Sequence, residues 1–512
     1  MGKVENNKRI AKNTLFLFFR MFFTMGVSLY TTRIVLKVLG VHDFGIYNVV
    51  GGIVSMLAFL NVSMSTATQR FFSFELGKKN YNRLNEIFCM SVNIHVIISL
   101  IIFLIAETLG LWFLNNKLVI PIERIGAANW VYQFSIATFI VGVLSVPYNA
   151  IIISQERMKI FAYISFIEVF MKLIIVFGIL FIGFDKLKMY SILIFFVSVF
   201  IFATYYFYCK RNFKSSNFTF FWDKELFKTL LNYSGWNLFG NVAGVAMGQG
   251  VNILLNIFFG PTVNAARAIA YQVKGAVNMF VVNFQIAINP QIVKSYAAKD
   301  LKYMHQIIFQ GSKFSFFLLF IVTLPVLFET EFILTLWLSN VPEHTIVFTR
   351  LAIINILIDS MSGSLMSAAQ ASGNIKKYQA VVGGLLLLIL PISYGFLKMG
   401  FDPEVTLYVS ITISVLSLYL RMRIISVLVD FSIQLFFKNV LLKVMLVSVI
   451  SVVLPFFLYS NIDSSLNRFI FVFIFSTFSV LSTIYLFGLI KEERLFFNNK
   501  IKFFLSKINF LH

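Results

Sequence analysis

Fourteen runs of about 20 mostly apolar residues follow one another along the 512-residue chain. A helix needs about that length to cross a hydrocarbon layer about 30 Å thick. The first six are expected at 13–39, 44–68, 87–114, 125–152, 160–183 and 188–208. The next six fall at 229–259, 265–290, 311–337, 346–370, 378–399 and 404–421, and a last pair near 440–460 and 467–490. The runs are continuous and lack the period-2 alternation of barrel strands, so helices are the only spanning element that satisfies the backbone in lipid. The expected fold class is an all-α membrane protein with about 14 transmembrane helices.

Apolar residues make up 59% of the chain and charged residues 13%, against about 25% charged in soluble domains, which excludes a cytosolic enzyme. The net charge of +21 does not signal nucleic acid, because a nucleic-acid binder gathers its cations on one face. Here 62 phenylalanines and long aliphatic runs surround most of them. With the N-terminus inside, thirty lysines and arginines fall in cytoplasmic segments and six on the other side. That asymmetry predicts that both termini are cytoplasmic. Met1–Lys12 is basic, but the apolar stretch behind it contains Arg20 and lacks a small-residue cleavage signal, so it is expected to stay as an anchor. Cys89 and Cys209 are too few and too far apart for a disulfide framework or a thiolate metal site.

The chain is internally doubled. A shift of 217 aligns Ser154 to Asp185 with Ala371 to Asp402 without gaps, with eight identities in thirty-two, including Gly183-Phe184-Asp185 over Gly400-Phe401-Asp402. A shift of 220 superposes the second span on the eighth, Gly40 on Gly260 and the basic loop at Lys79 on that at Lys299. This predicts two six-helix lobes related by pseudo-two-fold symmetry, at 1–222 and 223–430, with an extra helix pair and basic tail at 431–512. Six helices per lobe make the repeats parallel, and rocking of one against the other is the default mechanism.

Seven cations remain inside spans: Arg20, Arg33, Lys37, Lys172, Arg267, Lys274 and Arg350. Each is worth roughly 2.5 to 3.5 kcal/mol against insertion near a bilayer centre. Arg33, Lys37 and Arg350 lie close enough to helix ends to snorkel. Arg267, Tyr271, Lys274, Asn278, Gln285 and Asn289 fall within an arc of roughly 60° on one helix. Such a stripe faces another helix or water, and two cations seven residues apart repel across a dry contact, which favours a wet cavity. Asn13, Arg20, Thr24 and Thr31 make a weaker stripe on the first helix, where snorkelling of Arg20 remains open. Gly240, Gly244 and Gly248 in the seventh span suit close helix packing. Glu168 and Lys172, four apart, read as an intrahelical pair before an ion-coupling site. Asp359 has no obvious partner and is the best lone candidate for a proton or cation site. Pro147, Pro325, Pro391 and Pro455 permit kinks inside spans.

Several chemistries find no residues to carry them. The chain has no P-loop sequence, and His42, His95, His305, His344 and His512 form no metal-ligand spacing. No cofactor or metal is expected. The outer loops are about ten residues or fewer and leave no room for a catalytic domain, so the chain reads as moving a substrate rather than transforming it.

Three local stretches carry a resemblance: Leu39-Gly40-Val41-His42-Asp43-Phe44-Gly45-Ile46-Tyr47, Ala67-Thr68-Gln69-Arg70-Phe71 and Val146-Pro147-Tyr148-Asn149-Ala150. With the lobes and the extra pair, they resemble the O-antigen and capsule repeat-unit flippases of the multidrug/oligosaccharidyl-lipid/polysaccharide exporter superfamily. The resemblance implies a bacterial inner-membrane protein moving undecaprenyl-pyrophosphate-linked oligosaccharide for O-antigen, capsule or exopolysaccharide synthesis. It would work among membrane lipids beside a polysaccharide polymerase and chain-length machinery, and a monomer is expected. The expected substrate site is a central cavity in which Arg20, Arg267 and Lys274 attract the head group and Thr24, Tyr271, Asn278 and Gln285 supply polar lining. Asp359, Glu168 and Lys172 are the candidates for coupling to a proton or sodium gradient, with the membrane potential as another driving force. The alternative is a cation-coupled multidrug exporter of the same superfamily, although the 13–39 and 229–259 runs contain no Asp or Glu. A membrane polysaccharide polymerase or ligase is the third reading.

Overall fold

The computed structural model describes residues 3–55, 58–117, 120–179, 183–338, 341–495 and 498. The basic tail with Lys500, Lys502 and Lys507, and the side chains of Arg33, Val41 and His42, lie outside the described residues. In the first third, the helices are α1 Lys3–Ser55, α2 Ala58–Lys78, α3 Tyr81–Ile105, α4 Leu111–Lys117, α5 Ile125–Ser154 and α6 Met158–Gly178. The middle of the chain forms α7 Lys186–Asn212, α8 Lys224–Phe259, α9 Pro261–Ala297, α10 Leu301–Phe328, α11 Thr330–Leu338 and α12 Thr345–Ser360. The remainder forms α13 Gly363–Ser372, α14 Lys376–Lys398, α15 Val405–Val429, α16 Ile433–Phe436, α17 Leu442–Asn461 and α18 Leu466–Thr483.

The chain is therefore all-α and multi-pass. Thirteen helical segments among the described residues are long and apolar enough to cross a membrane. They match the expected spans except 44–68, which is divided between the end of α1 and the start of α2 and includes two residues outside those described. Prolines 147, 290, 325, 391 and 455 sit inside helices that continue through them, as membrane helices tolerate. At 106–110 the ladder widens by one residue into a π turn. There the Tyr132 hydroxyl donates to the Ala106 carbonyl at 2.8 Å, and a Cβ on Gly110 would fall 1.9 Å from that hydroxyl.

Two compact units are present. The first comprises residues 1–245, 286–304 and 367–384, and the second 246–285, 305–366 and 385–512. Within the first, α5 packs on α7, α2 and α3, and α1 on α6, around a core that includes Phe72, Phe88, Ile151 and Met158. Within the second, α12 packs on α15 and α17 on α18, with Leu255, Ala266, Phe348 and Ile413 among the buried residues.

The doubling is visible in the backbone. Nine residues among those described have positive φ, and six of them form pairs at the two sequence shifts: Gly40 with Gly260, Lys79 with Lys299, and Glu156 with Gly373. Gly40 (φ 78°, ψ 165°) interrupts α1. Gly260 (φ 77°) ends α8, and Pro261, whose fixed φ suits a first helical position, opens α9. At Lys79 and Lys299 the preceding helices end in the same Schellman arrangement. The Lys79 amide donates to Leu76 and the Asn80 amide to Glu75, as the Lys299 amide does to Tyr296 and the Asp300 amide to Ser295. Each turn then caps the next helix, Asn80 accepting from the Arg83 amide and Asp300 from the Tyr303 amide, both at 3.1 Å.

Side-chain contacts tie helix starts in each repeat. Before α5, Arg124 forks between Asp43 (Nε to Oδ1, 2.9 Å) and Asp185 (Nη1 to Oδ2, 2.6 Å). Asp185, from the doubled Gly-Phe-Asp sequence, also caps α7 by accepting the Leu187 and Lys188 amides. Before α12, His344 contacts Glu404, which precedes α15, at 2.6 Å. Thus the starts of corresponding helices are tied in both repeats.

Candidate functional site: the cationic helix faces

In the second unit, Arg267 is 4% exposed. Its Nη1 donates to the Gly248 carbonyl at 3.2 Å and also to Asn252 Oδ1, both on α8, and its guanidinium lies 4.2 Å from the Tyr271 ring centroid. The Nε is buried, with no hydrogen-bond partner among the described residues. Lys274 lies two turns further along α9. Its Nζ donates to Asn355 Oδ1 at 2.7 Å and lies 5.1 Å from the same Tyr271 ring. Asn355 Nδ2 in turn donates to Ser414 Oγ at 2.8 Å, so Lys274, Asn355 and Ser414 link α9, α12 and α15.

The two cations therefore share one aromatic ring and bind neutral acceptors, and among the described residues neither is in an ion pair. Tyr271 supplies a ring quadrupole that attracts cations lying within about 6 Å of its centroid. Asparagine oxygens replace part of their hydration without neutralising them. This is how the stripe tolerates two positive charges seven residues apart while facing neighbouring helices. Further along, Gln285 Nε2 reaches the Ser360 carbonyl at 3.5 Å, and Asn278 is half-buried. Asp359 stands one turn beyond Asn355 on α12 and has no ion pair among the described residues.

In the first unit, Arg20 is half-buried between α1 and α6. Its guanidinium lies 4.4 Å from the Phe161 ring centroid and its Nη1 is 3.5 Å from Ser165 Oγ. Glu168 and Lys172, on that same helix α6, form an intrahelical pair at 2.6 Å. The Thr24 hydroxyl is turned back onto the Met21 carbonyl at 3.2 Å. Arg20, Thr24 and the Glu168/Lys172 pair thus belong to one unit, and Arg267, Tyr271, Lys274, Asn278, Gln285 and Asp359 to the other. Arg350, read from sequence as snorkelling, donates its Nε to the Leu327 carbonyl at 3.2 Å, near the end of α10.

Two further sites in the first unit escape sequence reasoning. Glu156, in the turn between α5 and α6, has its side chain 1% exposed, accepts from Gln291 Nε2 at 2.6 Å and Lys294 Nζ at 2.5 Å, and forms an ion pair with Arg9, whose Nε lies 2.7 Å away. Its carbonyl also accepts from Asn13 Nδ2 at 3.2 Å. Arg70, 8% exposed, donates to the Gln370 and Ala371 carbonyls at 3.0 Å each, the orphan acceptors at the end of α13. A Cβ on Gly373 would fall 2.6 Å from Arg70 Nη2. So α2 reaches the end of α13, and α9 reaches the end of α5. The only signals in the sequence are the Ala67-to-Phe71 stretch around Arg70 and the alignment of Glu156 with Gly373.

Residues 17–178 match the MatE family model. No curated protein sequence matches the chain. Among solved structures, an outward-facing multidrug resistance MATE family transporter of the MOP superfamily superposes with a TM-score of 0.71 at 12% identity, over 84% of this chain and 99% of that one. The MATE transporter ClbM in complex with Rb+ gives 0.71 at 12% identity, over 84% and 96%. A MATE protein in a bent conformation gives 0.68 at 13%, over 83% and 96%. The fold is that of MATE transporters.

Proposed function

We propose that the chain is a membrane exporter of the superfamily to which MATE transporters belong, working by alternating access of its duplicated halves. The fold and the MatE match over residues 17–178 support the transporter reading. They also favour the multidrug alternative over the flippase, because the similar solved structures are multidrug or MATE transporters.

The chain's own charges support a different cargo. Arg267 and Lys274 are held on neutral acceptors around Tyr271. The 229–259 run, which supplies the partners of Arg267, contains no carboxylate that would attract an organic cation. Two unit charges 4 Å apart interact by about 4 kcal/mol at an effective dielectric near 20, so a pyrophosphate entering beside these cations recovers much of its lost hydration. We therefore put forward a lipid-linked oligosaccharide flippase as the cargo reading, with Arg267 and Lys274 drawing in the head group, Arg20 as a further cation, and Asn278 and Gln285 bonding sugar. The single observation that carries it is the un-neutralised pair flanking Tyr271.

The test is a deletion strain complemented with wild type or with the double variant Arg267→Ala/Lys274→Ala. Accumulated lipid-linked repeat units that wild type clears, and that a normally inserted double variant does not, support flipping. Unchanged glycan export with raised sensitivity to cationic dyes supports the multidrug exporter instead.

A further inference from the structure

In the first unit a groove runs along the first four turns of α8. Its outer part, about 840 Å³, is lined by Lys224, Lys228, Asn232, Trp236 and Phe239 among others. Its inner part, about 360 Å³, lies between α8 and the apolar residues Leu60 and Met64 of α2 and Ile98 and Ile105 of α3. Leu231 and Gly235 line both parts, so the two adjoin along one stretch of α8.

We propose that this groove is a binding site for an anionic phospholipid, with one acyl chain in the apolar inner part and the phosphate at Lys224 and Lys228. Neither lysine is in an ion pair among the described residues. The neighbouring carboxylate of Asp223 is occupied in accepting the Glu225 and Leu226 amides and lies 3.9 Å from Arg83. Glu225 precedes Lys228 by three positions but does not line the groove. Lys376 adds a third cation, its Nζ 5.4 Å from the Trp236 ring centroid, and Trp222 lies tilted against Phe227 with centroids 4.8 Å apart. Tryptophan beside lysine marks headgroup depth in a bilayer.

The occupant is a phospholipid and not the exported cargo, because a glycan needs hydrogen-bonding walls. The inner part offers only the hydroxyls of Ser63 and Ser234, and Ser63 already accepts from Asn241 at 2.7 Å. The site stands whichever cargo the transporter carries.

The full chain is purified into bilayer discs of mixed phosphatidylcholine and phosphatidylglycerol, and the lipid retained after transfer to detergent is identified by native mass spectrometry. Wild type is expected to retain phosphatidylglycerol with a preference of about thirtyfold from two lysines at the headgroup level. Lys224→Ala/Lys228→Ala is expected to lose the preference while still holding lipid. Gly235→Leu is expected to lose both lipids and to fold normally, because a Cβ on Gly235 meets nothing within 4 Å. Equal retention of the two lipids by wild type, or an undiminished preference in the double lysine variant, overturns the proposal, as does full retention by Gly235→Leu.

Discussion

Glu156 and Lys294 are 138 residues apart in the chain and 2.5 Å apart at their charged atoms. The carboxylate is almost wholly shielded from solvent and also binds Arg9 and Gln291. Opposite charges removed from water on this scale depend on each other, since removal of one leaves the other buried and uncompensated. Glu156→Gln is therefore expected to destabilise the protein by about 3–5 kcal/mol, read as a fall in unfolding temperature in detergent. Glu156→Gly relaxes the left-handed backbone (φ 60°) but loses the same charges. A loss as large as that of Glu156→Gln assigns the effect to the carboxylate, and a gain in stability assigns it to backbone strain.

Gly40 and Gly260 provide a backbone test without side-chain interference, because a Cβ at either position meets nothing within 4 Å. Gly40 lies in a region that only glycine adopts readily. Alanine at either position is expected to cost about 1–3 kcal/mol from conformation alone. Equal stability of both variants and wild type in thermal unfolding would show that the breaks do not need glycine.

Acid sensitivity should centre on Asp185. Burial pushes its carboxyl upward, but hydrogen bonds from Arg124 and from the Lys188 and Leu187 amides outweigh burial and hold it below its usual value. A carboxyl with a lowered folded-state pKa contributes stability that is complete above its unfolded value of about 3.9 and is lost as pH falls through the folded value. The difference in unfolding temperature between wild type and Asp185→Asn is expected to shrink on acidification from about pH 6 to about pH 3. A difference that stays constant across that range would remove Asp185 as the source.

Arg267 separates stability from transport. It is a buried cation held without a carboxylate, so an isosteric apolar residue removes a desolvation penalty along with its hydrogen bonds. Arg267→Met is expected to leave the unfolding temperature unchanged or raised while export falls. A destabilisation above about 2 kcal/mol, the scale of a lost hydrogen bond to a charged group, would make Arg267 a structural residue.

Thirteen of the fourteen spans and the duplication were legible from sequence because both rest on local patterns: apolar runs, paired glycines and a repeated Gly-Phe-Asp. The Lys172–Glu168 pair was legible too, being four residues apart on one helix. The Glu156 cluster was not, because its donors come from α1 and α9, and no spacing rule connects residues 143 or 138 apart. The polar face of α9 was readable as a stripe, but its partners were not. Asn355 and Asn252 are ordinary residues until α12 and α8 are placed beside it.

The last two long helices carry an obligation that their apolar surfaces conceal. Arg468, at the start of α18, chelates Glu329 at 2.9 and 3.0 Å. Glu493, beyond the other end of α18, takes Lys313 at 2.6 Å, with both side chains at most 6% exposed. One docking contact supplies a positive charge and the other a negative one, so a chain truncated after residue 430 would take these partners away from Lys313 of α10 and from Glu329, just beyond the end of α10. The segment therefore cannot be shed or exchanged between relatives as a passive anchor. Any graft that replaces it must bring a guanidinium and a carboxylate in the same places, or the recipient must lose Glu329 and Lys313 together with it.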